Sequence, residues 1–80
     1  MLHKRIKKMP PLGVEFDREE DGRWIAEVPK LPGVMAYGKT KPEARQKVLA
    51  IALRTLAHYV EEGSTPLPVS RLFSYGMASR

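Results

Sequence analysis

Apolar and polar residues alternate along the first half of the chain. Residues 14–18, Val-Glu-Phe-Asp-Arg, have the period of two that is typical of a half-buried strand. Residues 23–28 are rich in β-favouring side chains, and residues 34–37 form a third short run of the same kind. A turn signal separates each pair, namely Glu-Glu-Asp-Gly at 19–22 and Leu-Pro-Gly-Val at 31–34. The pattern therefore predicts three consecutive antiparallel strands.

The length of the first turn decides which side chains share a face of the sheet. A three-residue loop at 20–22 places Phe16 opposite Ala26, whereas a two-residue loop would place Phe16 opposite Glu27. A slip of one residue moves every side chain to the other face, so only the odd loop keeps the apolar residues together. Gly22 suits the left-handed position that closes such a loop. We therefore predict a hairpin in which Phe16 pairs with Ala26.

A helical period replaces the alternation after residue 40. Thr40 is the expected N-cap, Glu43 completes a capping box, and Gly63 is the expected stop. The predicted helix, residues 41–62, is roughly 33 Å long, whereas a six-residue strand spans about 20 Å. Such a helix overhangs its sheet, and a small chain often gains stability by association, so we expect at least a homodimer. The apolar arc of this helix comprises Val48, Leu49, Ile51, Ala52, Leu53, Leu56, Tyr59 and Val60.

The residues after Gly63 favour a linker at 64–68 and a fourth strand at 69–75. The sequence thus predicts an α+β fold with the order β-β-β-α-β, in which an antiparallel sheet carries one long helix packed on one face. Residues 1–11 are expected to form a basic N-terminal arm. Residues 12–76 are expected to form a single domain, followed by a tail at 77–80.

The composition limits the classes of function. A chain of 80 residues makes one small domain, which buries roughly 60% of its unfolded surface. It has no cysteine, so disulfides and cysteine-based metal sites are excluded. No apolar run approaches the roughly 20 residues of a membrane span, and the basic start has no apolar stretch of a signal peptide. We therefore expect a cytoplasmic protein with no membrane partner and no cofactor.

The net charge of +5 is unevenly placed. The N-terminal arm contains Lys4, Arg5, Lys7 and Lys8 without any acidic residue. Such an arm is either a solvated terminus or a contact for nucleic acid phosphates. The first hairpin is acidic instead, and a basic protein surface would be attracted to it. Its acidic residues are Glu15, Asp17, Glu19, Glu20 and Asp21.

The acidic residues of the first strand and two aromatic residues each allow a functional role and a simpler structural one. Glu15, Asp17 and Glu19 share one face of the first predicted strand, where grouped carboxylates can hold Mg²⁺ for nuclease chemistry. The same positions also form the polar side of an amphipathic strand, where acidic residues are expected without any catalytic role. Trp24 and Tyr37 are able to stack on a base, but Trp24 shares the face of Phe16 and is expected in the core. We predict no catalytic residue and no metal site.

A series of spaced motifs joins these elements. It consists of a strand that ends in an acidic turn, a W-x-A-x-V-P strand, an L-P-G turn, a G-x-T helix start and an E-A pair in the first helical turn. Over residues 14–63 this series resembles the HicB antitoxin family. The matching residues are Trp24, Ala26, Val28, Pro29, Leu31, Pro32, Gly33, Gly38, Thr40, Glu43 and Ala44.

The resemblance implies a partial RNase H-like fold without nuclease activity, which sequesters a small, basic, mRNA-cleaving toxin of the HicA type. Family members commonly add a C-terminal DNA-binding domain; too few residues follow the fourth predicted strand for one, so we do not expect sequence-specific DNA binding. Two alternatives stay open: a nucleic-acid-binding module that uses the basic arm, and a metal-dependent nuclease that uses the acidic strand. The candidate partner-binding residues are Glu15, Asp17, Glu19, Glu20, Arg23 and Tyr37, and the candidate nucleic-acid contacts are Lys4, Arg5, Lys7 and Lys8.

Overall fold

Three short antiparallel strands and one long helix make up most of the fold. The computed structural model describes residues 12–78. Its elements, in chain order, are β1 (Glu15–Arg18), β2 (Trp24–Glu27), β3 (Met35–Gly38), α1 (Lys41–Glu61) and α2 (Leu67–Ser70). The strands form one sheet in the order β1-β2-β3, and α1 packs on it against β2 and β3. The predicted α+β architecture, an antiparallel sheet with one long helix on one face, is confirmed.

The β1–β2 hairpin has the predicted register. Phe16 pairs with Ala26, as the odd loop requires. The N–H of Glu19 donates to the carbonyl of Arg23 at 2.8 Å and closes the loop. Gly22 has a φ of +91°, a conformation that costs an L side chain steric strain. The glycine therefore fixes the loop length, and the loop length fixes which side chains face α1.

The connection from β2 to β3 also closes one end of the core. The N–H of Val34 donates to the carbonyl of Leu31 at 3.0 Å, and Gly33 between them has a φ of +83°. The N–H of Val28 in turn donates to the carbonyl of Val34 at 3.0 Å. These three apolar side chains are all buried. The Leu-Pro-Gly-Val turn therefore sets the register of β3 and adds to the core.

Helix α1 has the predicted N-cap. The Oγ1 of Thr40 accepts a hydrogen bond from the N–H of Glu43 at 3.2 Å. The Glu43 carboxylate accepts from the backbone N–H of Lys39, the residue before the cap, and lies 3.6 Å from the Lys47 ammonium. Pro42 lies in the first turn, where its missing N–H has no helical partner. Side chain and backbone thus satisfy donors that the helix start leaves free.

The C-terminal end of α1 is equally well defined. Gly63 has a φ of +94°, and its N–H donates to the carbonyl of Val60 at 3.0 Å. The N–H of Ser64 donates to the carbonyl of Tyr59 at 2.9 Å. This pair of bonds is the Schellman motif, which satisfies the last carbonyls of a helix. Gly63 therefore terminates α1, as the sequence predicted.

The core is small and rich in alanine. Phe16 and Trp24 pack at its rim and are half-buried, so Trp24 is less deeply buried than the sequence suggested. The cations of Arg18 and Lys41 lie 4.9 Å and 5.7 Å from the centroid of the Trp24 ring. The buried apolar residues are Ala26, Val28, Leu31, Val34, Ala36, Ala44, Val48, Ala52 and Leu56.

The closest approach between helix and sheet lies at Gly38. A Cβ atom placed on this residue would lie 2.5 Å from the backbone nitrogen of Ala44 and 2.9 Å from its Cα. Both are backbone atoms of the first turn of α1, so neither can move aside alone. Ala44 is completely buried by this contact. Only glycine at 38 therefore allows α1 to start so close to β3.

The predicted fourth strand at 69–75 is wrong. Residues 67–70 form the short helix α2, and residues 73–78 have no regular secondary structure. The N–H groups of Ser70 and Arg71 donate to the carbonyls of Pro66 and Leu67, both at 3.0 Å. Proline suits the start of a helical turn, because its φ is already helical and an N–H at this position would have no partner in the helix. A strand also needs a neighbouring strand, and this segment pairs with neither outer strand of the sheet, β1 or β3.

Replacing Gly38 with alanine is expected to lower the free energy of unfolding by about 1–3 kcal/mol, because the added methyl group would push α1 away from β3. Urea unfolding followed by circular dichroism measures the change. Gly13→Ala is the control, since a Cβ there meets nothing within 4 Å; its effect should stay within about 0.5 kcal/mol. Equal urea midpoints for Gly38→Ala and the parent protein would contradict the close approach.

Acidification is expected to remove the contribution of Glu43 to the helix start. The N–H of Lys39, and secondly the charge of Lys47, hold the pKa of Glu43 below its usual 4.5. A carboxyl whose pKa is lowered by folding stabilises the fold above its unfolded pKa, and this stabilisation disappears as the pH falls through the folded pKa.

The melting temperatures of the parent protein and Glu43→Gln should therefore differ most near pH 7 and converge near about pH 3. Thr40→Ala is the control, because it removes the cap without removing a titratable group. It should cost about 1 kcal/mol at both pH values. A difference between parent and Glu43→Gln that is the same at both pH values would contradict the role assigned to the carboxylate.

Candidate protein-binding face

The alternation of side chains gives the sheet two faces with different roles. Helix α1 packs on the face that carries Ala26 and Ala36, which are buried. The opposite face, which we call the open face, carries the side chains that alternate with these. Cross-strand pairing arranges them in two rows, Glu15–Glu27–Met35 and Asp17–Ile25–Tyr37. Side chains directly opposite each other on one face have Cβ atoms about 4.5–5.5 Å apart, so each row is a set of neighbours.

The apolar part of the open face comes from β2 and β3. Met35 and Tyr37 expose 41% and 40% of their surface, and Ile25 beside Tyr37 is half-buried. Methionine and tyrosine are enriched at the buried centres of protein interfaces. They also offer a large contact area on a rigid strand. This part of the open face therefore has the composition of an interface centre.

A stacked arginine extends this apolar part. The guanidinium carbon of Arg23 lies 4.4 Å from the centroid of the Tyr37 ring. Its Nε donates to Oδ2 of Asp21 at 2.8 Å, and its backbone N–H donates to Oδ1 of the same carboxylate at 3.0 Å. That backbone bond is the main reason why the pKa of Asp21 lies below its usual value. Asp21 thus holds Arg23 over the Tyr37 ring.

The acidic part of the open face carries carboxylates that form no ion pair within residues 12–78; Oδ1 of Asp17 accepts only the backbone N–H of Arg18, at 2.8 Å. Glu15 and Glu27 lie directly opposite each other on β1 and β2, where like charges destabilise a sheet. Within residues 12–78, no lysine or arginine forms an ion pair with either of them or with Asp17. All three side chains are exposed. A cationic group supplied by another molecule would relieve this repulsion.

The structure separates the six candidate partner-binding residues into two groups. Glu15, Asp17, Arg23 and Tyr37 lie on the open face or over it. Glu19 and Glu20 lie at the tip of the β1–β2 hairpin, beyond the end of β1, with Glu19 half-buried and Glu20 exposed. The four basic residues of the arm, Lys4, Arg5, Lys7 and Lys8, lie outside the described residues.

Sequence reasoning missed Ile25, Glu27 and Met35 as members of the open face. The parity of the hairpin places Ile25 and Glu27 on the other face of the sheet from the core residue Ala26, so the sequence did contain the signal for these two residues. Met35 is different, because its face depends on the register of β3. That register is set by the hydrogen bond from Val28 to Val34 across the turn, which residue patterns alone do not reveal.

The acidic strand was also a candidate metal site. Glu15 and Asp17 are successive side chains on the open face of β1, while Glu19 lies past the end of the strand. In the part of the chain that the structure describes, no three histidine, aspartate or glutamate side chains converge as metal ligands.

Comparison of this chain with models of protein families, with curated proteins and with solved structures finds no match. None of the helices within residues 12–78 combines the length and the apolar character that a membrane span requires.

Proposed function

We propose that this chain is a HicB-like antitoxin, or an orphan relative of that family, that acts as a non-catalytic protein-binding domain. Its partner is a small, basic, mRNA-cleaving toxin of the HicA type. The observation that carries the proposal is the open face, where an exposed tyrosine and methionine lie beside carboxylates that form no ion pair within residues 12–78. The resemblance of residues 14–63 to the HicB family supports the same conclusion independently.

Electrostatic attraction accounts for how such a toxin would be recognised. A protein that cleaves RNA binds its phosphates with lysine and arginine, and this basic surface also attracts carboxylates. Glu15, Asp17 and Glu27 present three carboxylates on one exposed face. Charges of this kind chiefly raise the rate of association and orient the encounter. A toxin surface covered by the open face would lose its access to RNA.

The apolar centre accounts for how the complex would be held. Tyr37 and Met35 already lie on a rigid strand, and Asp21 already orients Arg23 over the Tyr37 ring. Little side-chain entropy is then lost on binding, so more of the contact energy remains as affinity. Aromatic residues and arginine at the centre of an interface commonly dominate its affinity. Sequestration by surface coverage requires no catalytic group, and the cytoplasm, where mRNA is translated, is the compartment that the proposal implies.

Reversing the two opposed carboxylates, Glu15→Lys with Glu27→Lys, is expected to slow association with the toxin about tenfold or more at low salt. The salt dependence of the association rate should weaken with it. The control is Glu61→Lys with Glu62→Lys at the end of α1, which changes the net charge equally but lies on the other side of the sheet. Stopped-flow binding to a purified HicA-type toxin measures both rates. Equal slowing by the control would contradict docking at the open face.

Reversing Glu19 and Glu20 at the hairpin tip should have a smaller effect of the same kind, because these residues lie at the margin of the open face.

Removing the Tyr37 ring, by Tyr37→Ala, is expected to raise the dissociation rate constant instead. A loss of about 1–2 kcal/mol, or about five- to thirtyfold in affinity, is typical of a central aromatic residue. Arg54→Ala, on the exposed side of α1, is the control and should leave the affinity unchanged. An unchanged affinity for Tyr37→Ala, in a variant whose circular dichroism matches the parent, would overturn the assignment of the open face as the binding site.

A further inference from the structure

Helix α1 has an apolar flank that the sheet does not cover. Ala44, Val48, Ala52 and Leu56 face the sheet and are buried. The predicted arc extends further round the helix, to Leu49, Leu53 and Val60, which expose 43%, 62% and 43% of their surface. Their spacing of four and seven residues places them on one side of the helix. We call these three residues the apolar flank.

The apolar flank lies on the side of α1 that faces β1. Arg45, one turn before Leu49, borders a surface depression together with Phe16 of β1. On the other side of the helix, Lys47 borders a depression together with Tyr37 of β3. Because α1 is centred over β2 and β3, a step remains between its flank and β1. Phe16 lies at the foot of this step and is only half-buried.

Strand β1 also has an unpaired edge at this step. It is the outermost strand of the sheet, and within residues 12–78 no strand pairs with its free side. An open edge presents backbone donors and acceptors to which another strand can add. The step thus combines hydrogen-bonding groups with the apolar flank, and the side chains of Lys41 and Arg45 border it beside Phe16. An amphipathic strand can use both the backbone groups and the apolar surface.

The C-terminal segment of the chain is such a strand without a sheet. After α2, where Val69 packs against the core, residues 72–78 are all exposed. Phe73, Tyr75 and Met77 expose 61%, 84% and 95% of their surface. They alternate with Ser74, Gly76 and Ala78, so one side of an extended segment would be large and apolar and the other small, apart from Leu72 at its start. In its own chain this segment covers nothing.

We propose that residues 72–78 of one copy of this chain add as a strand to the β1 edge of a second copy, and that the exchange is reciprocal. Phe73, Tyr75 and Met77 then cover Phe16 and the apolar flank of the partner. The open face is on the other side of the sheet and stays accessible, so this inference does not depend on the proposed toxin.

Two observations favour exchange between copies over closure within one chain. Pro66 and Pro68 restrict the linker, and Val69 packs against the core, while residues 72–78 stay exposed and do not pair with β1. Short, restricted hinges are known to favour such exchange.

The area involved is also sufficient. Each aromatic ring buries about 150–250 Å². With an equal area on the opposing residues, two reciprocal contacts of two rings each would therefore bury about 1,200–2,000 Å², which is the range of stable interfaces.

The first test is the oligomeric state of the full-length chain by analytical ultracentrifugation at micromolar concentration. The parent protein should sediment as a dimer of the 9.1 kDa chain. Phe73→Ser with Tyr75→Ser, and separately Leu53→Glu, should raise the dimer dissociation constant at least about a hundredfold.

The controls are Leu72→Ser, on the other side of the segment, and Ala50→Glu, on the exposed side of α1; both should remain dimers. A monomeric parent protein, or dimers that survive both the segment and the flank variants, would overturn the proposal.

The second test identifies which copy the segment covers. The natural chain has no cysteine, so Ala50→Cys and Ser74→Cys in one chain, which leave the proposed contact residues in place, are the only thiols. A short bifunctional thiol reagent applied to the dimer should join two chains, which then run together on a denaturing gel. Crosslinking confined to single chains would show that the segment folds back on its own domain and would overturn the exchange.

Discussion

The backbone contact between Gly38 and Ala44 is the constraint on which the rest of the fold depends. It brings the first turn of α1 against β3 with no side chain between them. The helix then continues over alanine residues of the sheet, Ala26 and Ala36, which are small enough to keep that approach along its length. Thr40 and Glu43 fix the start of the helix at this point, so the approach and the cap are parts of one junction.

This junction determines which surfaces remain for function. A helix seated directly over β2 and β3 cannot also cover β1, so Phe16 and the neighbouring flank of the helix stay partly exposed. The open face is exposed for a different reason, since one helix covers only one face of a sheet. The two surfaces therefore differ in chemistry: one is apolar and bordered by a free strand edge, and the other combines carboxylates with an aromatic ring.

The elements predicted well from the sequence were those with a local cause. Gly22, Gly33 and Gly63 each have the positive φ that their turns require, and the parity of the first loop gave the correct pairing of Phe16 with Ala26. The same parity correctly grouped Glu15 with Asp17. Residues 69–75 were misassigned, because their apolar alternation is a strand signal only where another strand is present to accept the backbone bonds. Met35 was missed because its orientation follows from a hydrogen bond between residues on either side of a turn.

The division of the sheet into a packed face and an open face has a consequence for how this domain can diversify. Even-numbered positions of the strands, such as Phe16, Ala26, Ala36 and Gly38, hold the helix, while the odd-numbered positions between them contribute nothing to the core. The residues at the odd positions can therefore be substituted as a set without disturbing the packing of the core. Duplicated copies of such a gene can acquire mutually exclusive recognition within one cell, and the same property makes the sheet a template for designing orthogonal binding pairs.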